Sequence, residues 1–145
     1  MMMTMTTGTT KPAPMRHEWK HQIAPQDDLM LSARLRRLFP HDSHADADGS
    51  YRVTSLYFDT PYDAALREKL DGVDCREKFR LRCYGTASAW LKLEKKYKRG
   101  GLCGKRSALL SRAETERLLA GDDAFLLQRE EPVLRELYCK LRGCG

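Results

Sequence analysis

Apolar residues recur along this chain at two periods, two and about three and a half, and the switches between them mark its elements. Over residues 25–40, "PQDDLMLSARLRRLFP" sets Leu31, Leu35 and Leu38 at helical spacing between Pro25 and Pro40, which predicts a helix. "YRVTSLYFDTP" is rich in β-branched and aromatic residues and stops at Pro61, as a strand does. Pro61 and Asp63 open a short helix through Lys69, closed by the turn signal Asp71-Gly72. Period two returns in residues 75–84 and again in "WLKLEKKYK", with "GTASA" as the turn between them. "RGGLCGK" reads as a Gly-rich turn leading to Lys105 and Arg106. "SRAETERLLAGD" has a capping-box spacing at Ser111 and Glu114 and a stop at Gly121. "EPVLRELYCKLRG" puts Leu134, Leu137, Tyr138 and Leu141 on one helical face. Upstream, "MRHEWKHQI" alternates and reads as a first strand. The order of strand, helix, strand, short helix, two strands and helices predicts an α+β fold with a mainly antiparallel sheet.

Charge follows the same period of two. Arg76, Lys78, Arg80 and Arg82 share one face of their strand, a row spanning roughly 20 Å at the strand rise per residue. Lys92, Glu94, Lys96 and Lys98 repeat the pattern, and Arg16, Glu18 and Lys20 begin it. A single charged strand face is ordinary solvated surface. Three biased alike are not, because a merely soluble face mixes signs and like charges opposed across strands destabilise a sheet. Residues 76–106 hold eleven Lys or Arg against two Glu, whereas the remaining residues hold 15 basic and 18 acidic side chains. The overall net charge of +6 is therefore a local feature, and such a field attracts phosphates. Glu18 and Glu94 are too few to neutralise the rows, and carboxylates so placed suit Mg²⁺ or Mn²⁺.

The 145 residues suffice for one domain, and no apolar run approaches the ~18 residues needed to span a bilayer. Residues 1–14 lack the apolar centre of a secretory signal and read as a disordered leader. Five cysteines without a C-x-x-C pair read as free thiols in a reducing cytoplasm, with Cys75 and Cys83 on the non-basic strand face and Cys144 exposed. His41, His44, Asp46 and Asp48 resemble a metal loop but lack the distal Glu of a calcium site, so a connecting loop is expected. His17 and His21 read as packing or surface residues. Ser55, Tyr57 and Asp59 allow two readings: inward groups that orient phosphate or a basic neighbour, or a core Tyr57 and a turn Asp59.

Together, "RHEWK", "YRVTSLYFDTPYDAALREKLDGV", "REKFRLRCYG" and "LKLEKKYKRGGLCGKR", in this order, resemble the VTC domain, the polyphosphate polymerase domain of the triphosphate tunnel group. The resemblance runs from about residue 15 to about residue 120, and its "SLYFDT" and R-x-K-x-R-x-R-x-Y-G pieces are specific only in combination. It implies a closed antiparallel β-barrel with flanking helices, its bore lined by Lys, Arg and Glu. It also implies ATP and polyphosphate or triphosphate as ligands, Mn²⁺ or Mg²⁺ as cofactor, and transfer of the ATP γ-phosphoryl group to a polyphosphate chain. Carried over by position, Lys20, Arg80, Arg82 and Lys96 match the phosphate-binding basic residues to which the reaction is assigned. Arg76, Lys78, Lys92, Lys98 and Lys105 are added phosphate contacts, and Glu18 and Glu94 match acidic tunnel positions that hold metal. Such chemistry asks for positioning and charge neutralisation more than for covalent help.

Two departures qualify the resemblance. The wider group opens with E-x-E-x-K, and Arg16 stands at the first position here, which favours the polymerase branch over triphosphatases. The domain elsewhere continues with further strands, so residues 15–145 are expected to form the N-terminal part of a tunnel, incomplete in this chain. Two rival readings stay open: a triphosphate-hydrolysing tunnel enzyme, and a non-catalytic polyanion or nucleic-acid module. The absence of aromatics among the basics of residues 76–82 and 92–98 counts against nucleic acid. A cytoplasmic location is expected, and a membrane-protein partner and the oligomeric state are left open.

Overall fold

The computed structural model of the chain describes residues 14–43, 45–85 and 89–143. The leader up to residue 13, His44, residues 86–88 of the "GTASA" turn and Cys144 lie outside the described residues. Four antiparallel strands form one sheet in sequence order: β1 (Val53–Phe58), β2 (Arg76–Tyr84), β3 (Trp90–Arg99) and β4 (Leu102–Ser111). The helices are α1 (Pro25–Leu35), α2 (Ala64–Leu70), α3 (Arg112–Leu119) and α4 (Pro132–Leu141), with a 3₁₀ turn at Ala124–Leu127. The α+β expectation holds, and, as expected of an incomplete tunnel, the sheet does not close into a barrel among the described residues. The outer edge of β1 pairs with no described strand, and β4 meets only the Arg16–Cys103 bridge.

That bridge corrects the strand expected over residues 15–23. Arg16 exchanges two backbone hydrogen bonds with Cys103, at 3.0 and 2.8 Å, and the segment beyond it runs exposed without further rungs. The sheet's fourth member is β4, which the sequence reads only as a turn and two cations. Its "LCGKRSALLS" hides the strand period behind Gly104, Ala108 and the consecutive Leu109 and Leu110.

Alternation divides the sheet into two unlike faces. On one, Phe79, Leu81, Leu93, Ala108 and Leu110 pack against Leu118, Phe125, Leu126, Val133, Leu134 and Leu137. This is the core, and it explains why α3, the 3₁₀ turn and α4 all lie on that side. Ser111 ends β4 and caps α3: its Oγ accepts from the Glu114 N–H at 3.2 Å, and the Glu114 carboxylate accepts from the Ser111 N–H at 2.8 Å. A cap of this kind contributes about 1 kcal/mol. At the open end of the same face, Tyr97 lies opposite Gly104, and a Cβ there would sit 2.3 Å from the tyrosine ring. Only glycine lets the ring cross its neighbour strand.

Beside this core, Lys95 is held between Glu77 Oε2 (2.5 Å) and Glu136 Oε2 (2.7 Å), while Arg106 also bonds Glu136 and Lys140 reaches Glu77 at 3.2 Å. Every cation in that cluster has a carboxylate. The start of β2 and the β3–β4 hairpin are clasped by Asp74, which accepts from the N–H groups of Gly100 (2.7 Å) and Gly101 (2.9 Å), both at positive φ. Cys75, Cys83, Cys103 and Cys139 are free, as expected, and His17 and His21 are on the surface. Among the described residues no helix is long and apolar enough to cross a membrane.

Candidate functional site

The second face of the sheet carries the charged rows. Register places Arg76 opposite Lys98, Lys78 opposite Lys96 and Arg82 opposite Lys92, and Lys96 is opposite Lys105 on its other side. Four cross-strand pairs thus bring like charges together, and one, Arg80 with Glu94, brings opposite charges.

That one opposed pair forms a buried clamp. Glu94 is 1% exposed and Arg80 8% exposed. Arg80 Nε and Nη2 each lie 2.7 Å from Glu94 Oε2, a side-on grip on a single oxygen. Arg82 Nε and Lys105 Nζ each approach the same carboxylate at 3.8 Å. Burial pushes the Glu94 carboxyl up, but the Arg80 hydrogen bonds and the charges of Arg80, Arg82 and Lys105 outweigh it, holding the group below the usual carboxylate range. Arg82 Nε is buried without a hydrogen-bond partner, which is costly for a charged donor.

Tyr57, from β1, stands on the same face opposite Arg80. Its hydroxyl accepts from Arg80 Nη1 at 3.2 Å, and Lys78 Nζ lies 5.3 Å from its ring centroid. The Arg80 hydrogen bond lowers the phenol's pKa, burial opposes it, and the charges of Arg80, Lys78 and Arg82 add to the lowering. Of the two readings left open for Tyr57, the one that orients a basic neighbour is realised. Asp59 faces the next helix instead: it accepts from the N–H groups of Ala65 (2.9 Å) and Leu66 (3.1 Å) at the start of α2.

Next to the clamp the face opens into a cleft of about 560 Å³. Its floor is Arg76, Lys78, Lys96, Lys98 and Lys105; the N-terminal segment contributes Arg16, Glu18 and Lys20, and α2 contributes Ala65 and Lys69. Glu18 lies 3.7 Å from Lys20, and Lys98 lies 3.8 Å from Asp74. Burial lowers the pKa of the Lys78 amine; Tyr57 opposes, and the charges of Lys69, Lys96 and Arg80 lower it further.

The expected residues therefore divide. Lys20, Arg76, Lys78, Lys96, Lys98, Lys105 and Glu18 share the cleft, whereas Arg80, Arg82 and Glu94 form the clamp beside it. Lys92 sits across from Arg82 toward the far end and does not line the cleft. Sequence reasoning missed Lys69, because a lysine in a short surface helix has no strand period to announce it. Among the described residues no three His, Cys, Asp or Glu side chains come together as a metal cluster.

Fold and face together define an α+β protein whose antiparallel sheet keeps one side for its core and the other for a concentrated positive field. The chain belongs to the VTC domain family, whose model matches residues 15–142. No curated protein matches it. Membership is consistent with a polyphosphate-related function.

Proposed function

We propose that the cleft binds the phosphate chain of ATP and of polyphosphate, and that the domain serves γ-phosphoryl transfer to a polyphosphate end. The carrying observation is the contrast between the faces. Lys95 and Arg106, also opposed across strands, are neutralised by Glu77 and Glu136. Lys78 and Lys96 have no carboxylate within ion-pair distance among the described residues, although their repulsion destabilises the sheet by about 0.2–1 kcal/mol per pair. An extended polyanion supplies the missing counter-charge, and a row of amines fits successive phosphates better than a single one.

Within this reading Lys20, Lys78, Lys96 and Lys105 contact phosphoryl oxygens. Arg80 and Arg82 extend the field at the clamp, where Glu94 and Tyr57 fix the Arg80 guanidinium in advance of ligand. Glu18 is the carboxylate that would hold Mg²⁺ or Mn²⁺, a role that needs only one or two carboxylates because substrate phosphates complete the shell. Such a cation would neutralise charge on the phosphoryl oxygens. Glu94 fits that role poorly, since Arg80, Arg82 and Lys105 already surround its carboxylate, and it acts here as the counter-ion.

The test is calorimetric titration of tripolyphosphate into the purified chain, with and without Mn²⁺. The variant is Lys78→Ala/Lys96→Ala, chosen because Arg80 is part of the buried structure. Binding that is stronger with metal, lost in the variant and unmatched by oligo-dT supports the reading. Equal, salt-governed binding of both polyanions would reject it in favour of a generic basic surface. Product analysis with ATP then separates chain growth from simple phosphate release.

A further inference from the structure

The cleft has a third wall that neither charged row provides. Helix α2 packs against β2 and turns Ala65 and Lys69, one helical turn apart, toward the amines of the sheet. The Lys69 side chain makes no ion pair among the described residues, and its charge is felt at Lys78. The helix is anchored at its start. It follows a left-handed residue, Asp63, at φ 55°. Its first N–H groups are tied back: Ala64 donates to Thr60 Oγ1 at 3.2 Å, and Ala65 and Leu66 donate to the two oxygens of Asp59. Asp59 directly follows β1, whose Tyr57 touches Arg80. A single short segment thus fixes both the guanidinium of the clamp and the helix above the cleft.

We propose that Lys69 is a further phosphate-contacting residue, completing a trio with Lys78 and Lys96 around one phosphoryl group, and that Asp59 is the positioning residue that holds it there. Lys78 and Lys96 stand side by side on the floor and Lys69 comes from the α2 wall, so a tetrahedral group would be gripped from two sides instead of from beneath alone. This rests on the reading of the cleft as a phosphate site, and it assigns α2 the role of a fixed wall.

The experiment compares tripolyphosphate binding by calorimetry in the wild-type chain and in Lys69→Ala, Lys69→Arg, Asp59→Asn and Arg67→Ala. Arg67 lies on the same helix but outside the cleft, so it controls for the loss of one positive charge. Lys69→Ala should weaken binding about tenfold, as loss of one charged hydrogen bond does. Lys69→Arg should restore most of it, and Arg67→Ala should change it less than twofold. Asp59→Asn should weaken binding with faster amide exchange at Ala65 and Leu66, while the core amides stay protected. In parallel, acetylation of Lys78 read by mass spectrometry should slow in Lys69→Ala, because removing the neighbouring charge leaves more of the Lys78 amine protonated. If Lys69→Ala and Arg67→Ala bind alike, Lys69 makes no special contact and the inference is wrong. If the wild-type chain binds no tripolyphosphate, the phosphate reading fails and the inference with it. Unchanged Lys78 labelling would refute the placement of Lys69 independently of any ligand.

Discussion

Replacing Glu94 by Gln should destabilise this domain more than any other single charge removal on the basic face. The amide keeps the shape of the carboxylate and can accept one hydrogen bond from Arg80, so the loss is electrostatic. Arg80, almost wholly buried, is left without its counter-ion, and removing one partner of such a pair costs roughly 3–5 kcal/mol. Arg82 and Lys105, each at 3.8 Å from the carboxylate, also lose their nearest negative charge. Lys105 is half-exposed, so its share is at most about 1 kcal/mol. At ~3 °C per kcal/mol for a domain near this size, the melting temperature should fall by about 10–15 °C at neutral pH. Acid should erase the difference. The Glu94 carboxyl is held lower in the folded chain than in the unfolded one, so its contribution is complete above the unfolded carboxylate range. That contribution fades as pH falls through the folded value, and the two melting curves should converge there. Calorimetric or circular-dichroism melts from pH 7 to 3 read both effects. A Gln variant melting within 2 °C of wild type at pH 7 would refute the clamp as a structural element. The double change Arg80→Met/Glu94→Leu provides a cross-check, because replacing a buried pair by apolar groups is often neutral or stabilising. It should recover the melting temperature while leaving phosphate binding impaired.

Two further outcomes are expected. Lys96→Gln removes one member of two like-charged cross-strand pairs, so it should raise stability by about 0.2–1 kcal/mol per relieved pair at low salt while weakening tripolyphosphate binding. Denaturant midpoints and calorimetry on the same preparation check this, and a variant that is both less stable and a full binder would contradict it. Gly104→Ala drives a methyl group into the Tyr97 ring and should cost about 1–3 kcal/mol, with Tyr97→Ala in the same background recovering part of the loss. A midpoint equal to wild type would show that the ring moves aside freely.

The rows of alternating charge were legible because strand geometry converts a period of two directly into a face, and β2 and β3 lie where that period predicts. The capping box at Ser111 was legible for a similar reason, since its two hydrogen bonds require a fixed spacing. Register was not. Nothing local states that Arg80 faces Glu94 while Lys78 faces Lys96, and that difference separates a buried clamp from an open cleft. β4 escaped because Gly104 serves a neighbour's side chain instead of its own period. The Arg16 segment looked like a strand from its alternation, but it finds only one rung of partner among the described residues. Asp59 was ambiguous because a carboxylate before a proline serves a turn as readily as a helix start. Its partners at Ala65 and Leu66 are decided by how the chain folds back at Asp63.

The unneutralised amines of β2 and β3 have a consequence for how much folded protein a cell can keep. A ligand that binds only the folded chain adds stability by mass action, about 2.7 kcal/mol at a hundred times its dissociation constant. On the phosphate reading, a polyanion would then help hold together a sheet whose own charges push it apart. If the phosphate reading holds, the folded population rises when long phosphate chains are plentiful and shrinks toward proteolysis when they run out. On that reading, supply of the polymer would feed back on the abundance of the folded chain through the repulsion between two strands.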